Sequence, residues 1–331
     1  MKILVVTNMY PNPERKHFGI FVEEQVESLR GLGMDVDVLF IDGKESKLNY
    51  LRGFPRLWKQ LRSKKYDIVH AHYIFAGLIA RAQVSCPVVL THHGPEVFMT
   101  WQAWVCRAFT RFFHSVIVVS EEMRRKLNVP YATVIPCGIN VEDFKPMPRE
   151  ELRRELGLPL DKKLVLWAGE HTRPEKRYEL VLAAMEIVTK ERPDVELVLL
   201  SGKSHDAVPK YMNACDALVL TSDGEGSPMV IKEAMACNLP AVSTEVGDVR
   251  ERFKGTDGYF ICSQEPSDIA LKVKMAVDRN GVASGREAVL PLALDEISKR
   301  IIDVYKRTLR SPATNESEST VQASESESQG A

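Results

Sequence analysis

The sequence predicts an α/β protein made of two doubly wound domains that face each other across a cleft. Three observations carry the prediction. Strand-like runs rich in β-branched residues alternate with helical patterns along the chain, the mark of parallel sheets. The alternation pauses over the charged stretch VEDFKPMPREELRRELG and restarts near residue 161. The length, 331 residues with 44% apolar content, suits two domains with sizeable cores.

In the first domain, residues 1–157, KILVVT is a strand and FVEEQVESLRGLG has the apolar spacing of a helix that begins near Ile20. VDVLFI and DIVHAH are the next strands, followed by the helix IFAGLIARAQ and the strand VVLTHH. An aromatic helix near 100–113, the strand SVIVVS, the helix EEMRRKL and the segment TVIPCG complete it. The second domain, residues 158–291, opens with the strand DKKLVLWAG, the loop HTRPEKR and the helix YELVLAAMEIVTKERP. VELVLLSG, the short helix PKYMNAC and DALVLTS follow, then a helix through MVIKEAMACN, the strands PAVSTEVG and GYFICS, and the helix PSDIALKVKMAV. The helix LDEISKRIIDVYKRTL closes the ordered chain. Residues 310–331 are Ser/Glu-rich without an aromatic residue, so they bury too little apolar surface to offset ordering and are expected to be disordered.

Several function classes fall away. Lys+Arg 44 against Asp+Glu 45 argues against nucleic acid as a partner. Six scattered cysteines without a C-x-x-C pair fit reduced thiols rather than disulfides or zinc. MKILVVTN is a strand start, too short for a signal-peptide core, and no apolar run approaches the ~20 residues a membrane span needs. Neither first strand is followed by G-x-G-x-x-G or G-x-x-x-x-G-K-[ST], which disfavours a nicotinamide dehydrogenase or a P-loop enzyme. The expected location is the cytoplasm.

The residues that point to chemistry lie at strand ends. In DGEGSPMVIKEAMACNLP, Glu225 sits in the loop leaving a strand and Glu233 in the helix behind it, where open α/β sheets bind ligands. The pair reads as two anchors for one polar molecule. Gly19 lies between the first strand and its helix, either as a simple turn residue or to let backbone N–H groups approach an anion. Arg173, Lys176 and Arg177 precede the helix at Tyr178, where cations oppose the helix dipole; they either extend into water or face a phosphate. His93 at the end of VVLTHH either hydrogen-bonds a substrate hydroxyl or is a satisfied structural imidazole, and His92 reads as the latter. His70 and His72 share one strand face, with no further ligand at metal spacing. Asp35 and Asp37 open an edge strand and read as solvated. Two basic aromatic segments, 49–65 and 97–113, either lie on an anionic membrane surface or pack their apolar stripes on the first sheet.

EGSPMVIKEAMACNLPAVSTEVGDV resembles the E-x7-E signature of retaining glycosyltransferases of the GT-B fold, family 4. TNMYPNPERKHFGIFVEEQVESLRGLG is similar to the opening of bacterial members, and YDIVHAH, VVLTHHGPE, VIVVSEEM, VIPCGINVEDFKP and PEKRYELVLAAMEIV follow in that family's order. The resemblance covers nearly all of residues 1–309. It implies two Rossmann-like domains, an acceptor domain and a nucleotide-sugar domain, with a closing helix at 292–309 that crosses back to the first. It further implies that Glu233 takes the ribose hydroxyls and Glu225 the sugar hydroxyls. Ser227, Met229 and Val230 would line the sugar and phosphate. Lys176 would neutralise the diphosphate with Arg173 beside it, Gly19 would point its N–H there, and His93 would contact the sugar near the reacting carbon. Each charge-assisted hydrogen bond of this kind is worth roughly 1.5–3 kcal/mol. The implied reaction is metal-independent transfer to a glycan or lipid-linked acceptor, without a cofactor. The expected setting is the cytoplasm, either free or peripheral on the inner membrane face through 49–65.

Two positions depart from the family. Gly169 is followed by Glu170 where an arginine is usual, and a carboxylate there repels a diphosphate unless it turns away. The path 202–216 is shorter than in relatives, so the second sheet is expected to be a strand short and base recognition to be altered. These departures keep a non-catalytic sugar-binding partner subunit as the alternative. A nucleotide-sugar epimerase, which shares the two-domain fold, is the other.

Overall fold

The computed structural model describes residues 1–310 apart from Met99, Lys203 and Asn280. The stretch expected to be disordered lies, over 311–331, outside the described residues. The first unit contains β1 (Lys2–Thr7), α1 (Ile20–Gly31), β2 (Asp35–Phe40), α2 (Leu48–Ser63), β3 (Ile68–His72), α3 (Ile74–Ala80), β4 (Val88–His92), α4 (Pro95–Phe98), α5 (Thr100–Phe109), β5 (Ser115–Val118), α6 (Glu121–Leu127) and β6 (Thr133–Val134). Helix α7 (Arg149–Leu156) leads to β7 (Lys163–Ala168), α8 (Tyr178–Glu191), β8 (Val195–Leu200), α9 (Val208–Ala214), β9 (Ala217–Leu220), α10 (Met229–Ala236) and β10 (Ala241–Thr244). The second unit ends with α11 (Val249–Phe253), β11 (Tyr259–Cys262), α12 (Pro266–Val277) and α13 (Gly285–Val289), before the long α14 (Leu294–Arg310).

Both sheets are parallel. Their strand orders are β2-β1-β3-β4-β5-β6 and β11-β10-β9-β7-β8. The order reverses between β1 and β3 in one sheet and between β7 and β9 in the other, and such switch points leave a crevice at the strands' carboxyl ends. Two helical layers explain the sequence pattern of β1. Ile3 and Val5 face one core and Leu4 and Val6 face the other, all fully buried, so the strand reads as a continuous apolar run.

Helix α14 leaves the second unit and packs against α1, with Ser28 Oγ donating to Asp295 at 2.8 Å and Tyr305 buried beside His70. It begins where Ile139 pairs with Ala293, so the crossover is anchored at its first turn.

The charged stretch between the units holds more structure than its composition conveys. Pro148 precedes α7, Glu150 and Glu151 sit in its first turn, Arg153 and Arg154 in its last, and Gly157 ends it in the left-handed region. That is a complete set of helix start and stop signals. Arg153 is buried and donates to Asp216 at 2.7 Å, which ties α7 to the second sheet.

The second sheet has five strands. Between β8 and β9 the short path carries a 3-10 turn (His205–Ala207) and α9, and no strand among the described residues. Asp35 and Asp37 do lie on the edge strand, but both pair with Lys64, and Tyr66 donates to Asp37 at 2.6 Å. The Asp35 and Asp37 side chains stay 49% and 35% exposed, so they are solvated as expected and paired at the surface as well. On α2, Leu57 is buried and Phe54 and Leu61 are partly covered, whereas Trp58 remains 46% exposed. Among the described residues, no helix is long and apolar enough to cross a membrane.

Candidate active site

The carboxyl ends of the two sheets meet in a cleft of about 1070 Å³. Gly19 and His93 line it from the first unit, and Arg173, Lys176, Glu225, Ser227, Met229 and Val230 from the second. Every site residue implied by the family resemblance therefore reaches this cleft except Glu233, and Arg177 does not line it either.

Lys176 ends a 3-10 turn (Pro174–Lys176) after β7, and Glu225 lies in the loop after β9. The Lys176 ammonium donates to Glu225 Oε1 at 2.5 Å, and Ser222 Oγ donates to the same oxygen at 2.8 Å. Backbone and side-chain bonds fix the two loops together. Asp223 N–H donates to the Glu175 carbonyl and Thr221 Oγ1 to the Lys176 carbonyl. The other two cations of this loop are also matched, Arg173 with Glu175 at 2.6 Å and Arg177 with Asp223 at 2.9 Å. Carboxylates from the same loops thus offset the charge at the start of α8, a third solution beside water or phosphate. Glu170 is exposed and lines the cleft.

Gly19 sits at the start of α1 with φ +78, and a Cβ there would lie 2.4 Å from the Met9 carbonyl carbon. Only glycine fits this turn without strain. Gly226 serves a different purpose. A Cβ on it would fall 2.0 Å from the His93 carbonyl oxygen, so its small size lets the second unit's loop touch the end of β4.

His93 is 8% exposed, its ring stacked on His72 and packed by Phe21 and Tyr73. Its Nε2 shares a hydrogen bond with His72 Nδ1 at 2.8 Å, and its Nδ1 lies 3.7 Å from Cys137 Sγ. Burial, with His72, His92 and Lys232 adding to it, holds the imidazole well below the usual histidine pKa, so the ring is neutral. The group offered at this wall is a neutral ring with a fixed carbonyl, not a cation. His92 is structural as read, held by Thr110 at 2.9 Å and Glu96 at 3.3 Å. His70 and His72 do share a face, with ring centroids 4.4 Å apart, and His70 reaches Tyr305 on α14.

Met229 and Val230 open α10 at the cleft, but Glu233 lies one turn deeper, about 6 Å along the axis. Its carboxyl is pushed up to about 8, first by burial and then by Glu24 of α1. Glu24 itself is pushed up to about 7, by burial and then by Asp143 and Glu23. Near them His205 Nε2 lies 3.9 Å from Glu24, and its ring packs on Phe144. The short path after β8 therefore places the second unit directly against α1.

Lys232 and Tyr73 are among the groups that escaped the reading of the sequence. Lys232 is fully buried and donates to the Cys137 carbonyl at 2.9 Å, joining α10 to the first unit's end. Its signal was a lysine set among Met229, Val230, Ile231 and Ala234 inside an otherwise apolar helix start. Tyr73 lines the cleft with a positive φ of 71, a strained conformation that nothing in its local sequence announces. No group of three or more His, Cys, Asp or Glu side chains suited to a metal occurs among the described residues.

Comparison with known proteins agrees with this geometry. The model of Glycosyltransferase Family 4 matches residues 2–143, and that of Glycosyl transferases group 1 matches residues 198–279. The putative teichuronic acid biosynthesis glycosyltransferase TuaC of Bacillus subtilis is 29% identical over 325 aligned residues, covering 76% of this chain and 83% of that protein. Sucrose-phosphate synthase from Thermosynechococcus elongatus superposes with a TM-score of 0.76 at 18% identity, covering 92% of this chain and 98% of that one. Anabaena Alr3699/HepE in complex with UDP-glucose gives a TM-score of 0.70 at 18% identity, covering 93% and 100%. Two matched family segments in order, on two parallel sheets closed by a returning helix, assign the chain to the family 4 glycosyltransferases of the GT-B fold.

Proposed function

We propose that this glycosyltransferase moves a sugar from a nucleotide-sugar donor to a glycan or lipid-linked acceptor, with retention at the anomeric carbon and without a metal. The observation that carries the reading is the Lys176–Glu225 pair at 2.5 Å, set on the second unit at the cleft that Gly19 lines from the first. A donor diphosphate entering there would take the Lys176 ammonium, with Arg173 and the Gly19 N–H beside it. Glu225 would then be released to accept hydrogen bonds from sugar hydroxyls, and Ser227, Met229 and Val230 would wall the sugar and phosphate.

In the transfer, the bond from the anomeric carbon to the diphosphate oxygen breaks and the acceptor oxygen bonds on the same face. The acceptor proton passes to the departing phosphate. Stabilising charge on the leaving group is then the main task of the site. The neutral His93 wall fits contact with a sugar rather than with a phosphate. UDP-sugars lead the candidate donors, because a structural neighbour binds UDP-glucose. The proposed setting is the cytoplasm, at the inner membrane face.

A thermal-shift panel of UDP, GDP, ADP, CMP and common sugar nucleotides tests the donor. A ligand at 100 times its Kd stabilises by about 2.7 kcal/mol, several degrees for domains of this size. Response to one nucleotide family is the expected result, and no response to any would overturn it. The second reading, a non-catalytic sugar-binding partner, is favoured by Glu170 in the cleft lining and by Glu233 lying outside it. That reading predicts silence across the panel.

A further inference from the structure

The first unit's side of the cleft carries charge that the donor reading does not use. Arg15, Lys16, Lys44 and Lys47 line it, against the single carboxylate of Glu14. Arg15 is paired with Asp42, whereas Lys16, Lys44 and Lys47 form no ion pair among the described residues. The arrangement is built rather than accidental. Asp42 accepts the N–H groups of Lys44 and Glu45, which fixes the loop, and the Lys44 ammonium stands 4.3 Å from the Phe18 ring centroid, next to Gly19. Three unpaired ammonium groups concentrated on one wall favour an anionic occupant.

An apolar path leaves the same wall. Tyr50 lines the cleft with its ring against Gly43, Phe75 meets Tyr50 edge-on at 5.9 Å, and Trp101 meets Phe75 at 5.7 Å. Trp101 and Trp104 on α5 are 57% and 67% exposed, so the aromatic line runs from the cleft to the outer surface. A purely sugar acceptor gives no reason for such a line to continue outward. An amphiphile with a charged linker does.

We propose that this wall is the acceptor subsite for a phosphate-linked lipid. Lys16, Lys44 and Lys47 take the phosphate charge, and the Tyr50–Phe75–Trp101 line takes the first part of the chain. The proposal rests on the transferase reading above and names its acceptor class.

The test is direct binding to the full chain by titration calorimetry with three probes: farnesyl diphosphate, farnesol and inorganic diphosphate. Farnesyl diphosphate is expected to bind at least tenfold more tightly than either of the others. The exposed double variant Lys44→Glu/Lys47→Glu should weaken it at least tenfold. Trp101→Ala should weaken it several-fold and leave inorganic diphosphate unchanged. Lys176→Ala, which disables the donor's phosphate site, should leave farnesyl diphosphate unaffected. Equal binding of farnesyl and inorganic diphosphate, indifference to the double charge reversal, or no binding would overturn the proposal. The two readings fail separately. A nucleotide thermal shift with no farnesyl diphosphate binding removes only the acceptor class. Farnesyl diphosphate binding without any nucleotide response removes the donor.

Discussion

Lys176 and Glu225 lie 49 residues apart in sequence, yet the ammonium of one donates to the carboxylate of the other at 2.5 Å. Their side chains are 16% and 19% exposed, so each keeps the other's charge compensated in a half-dry cleft. A ligand that offers a diphosphate and a hydroxyl-rich sugar can replace both partners at once. The pair therefore holds the donor's recognition groups in place before binding, and a donor exchanges their mutual bond for bonds of its own.

This relationship predicts a separation of kinetic effects. Lys176→Ala should lower kcat by roughly 10²–10³-fold, the range for losing one stabiliser of a developing anion, with a smaller change in donor KM. Glu225→Gln keeps the shape and removes the charge, and should raise donor KM more than it lowers kcat. Steady-state kinetics on both variants decide the matter. Equal losses in the two parameters for both variants would refute the division of roles.

Gly19→Ala should be costly for a reason independent of chemistry. Its φ of +78 and the 2.4 Å approach to the Met9 carbonyl carbon leave no room for a methyl group. Strain of this kind costs roughly 1–3 kcal/mol. Thermal unfolding should show the midpoint falling by several degrees, with activity reduced even at temperatures where the variant stays folded. An unchanged midpoint would mean that the turn relaxes freely.

Most of the site was legible because its residues sit at strand ends, and strand ends are fixed by apolar runs such as VVLTHH and DALVLTS. Cleft residues missed from sequence are those placed by tertiary contacts. Tyr73 follows β3 with an unannounced positive φ, and the basic wall draws Lys16 and Lys44 from two loops that only the sheet order β2-β1-β3 brings together. Glu233 went the other way. Local sequence placed it correctly in α10, but its distance from the cleft depends on α1 and on the short path around His205, which no local pattern encodes. Helix α7 was legible in its caps and was obscured by its charge.

The pair Glu24 and Glu233 predicts how stability depends on pH. Both carboxyls hold protons in the folded chain up to about 7 and about 8, against a usual value of 4.5. Unfolding lets them ionise, so the folded state binds more protons and stability falls as pH rises from about 4.5 to about 8. Glu24 contributes over the lower part of that window and Glu233 throughout it. The thermal midpoint should drop by several degrees between pH 6 and pH 9, and Glu233→Gln, which cannot ionise, should flatten the decline. A variant with the same slope as the parent would show that Glu233 is already charged near neutrality.

The outer face of α2 supplies the last prediction. Leu48, Leu51 and Trp58 are exposed at 56%, 66% and 46%, beside the exposed cations Arg52, Arg56, Lys59 and Arg62. Apolar side chains flanked by cations suit the boundary of an anionic bilayer, where each Lys or Arg contributes about 1 kcal/mol. Co-sedimentation with vesicles containing phosphatidylglycerol should retain the protein at low salt and release it as ionic strength rises. Arg56→Glu/Lys59→Glu/Arg62→Glu should weaken retention by roughly a hundredfold, since three contributions of that size are removed. The three side chains are exposed, so folding should be unaffected, and thermal unfolding of the variant checks this. Retention that survives both the substitutions and high salt would assign α2 to solvent and leave any membrane contact to another surface.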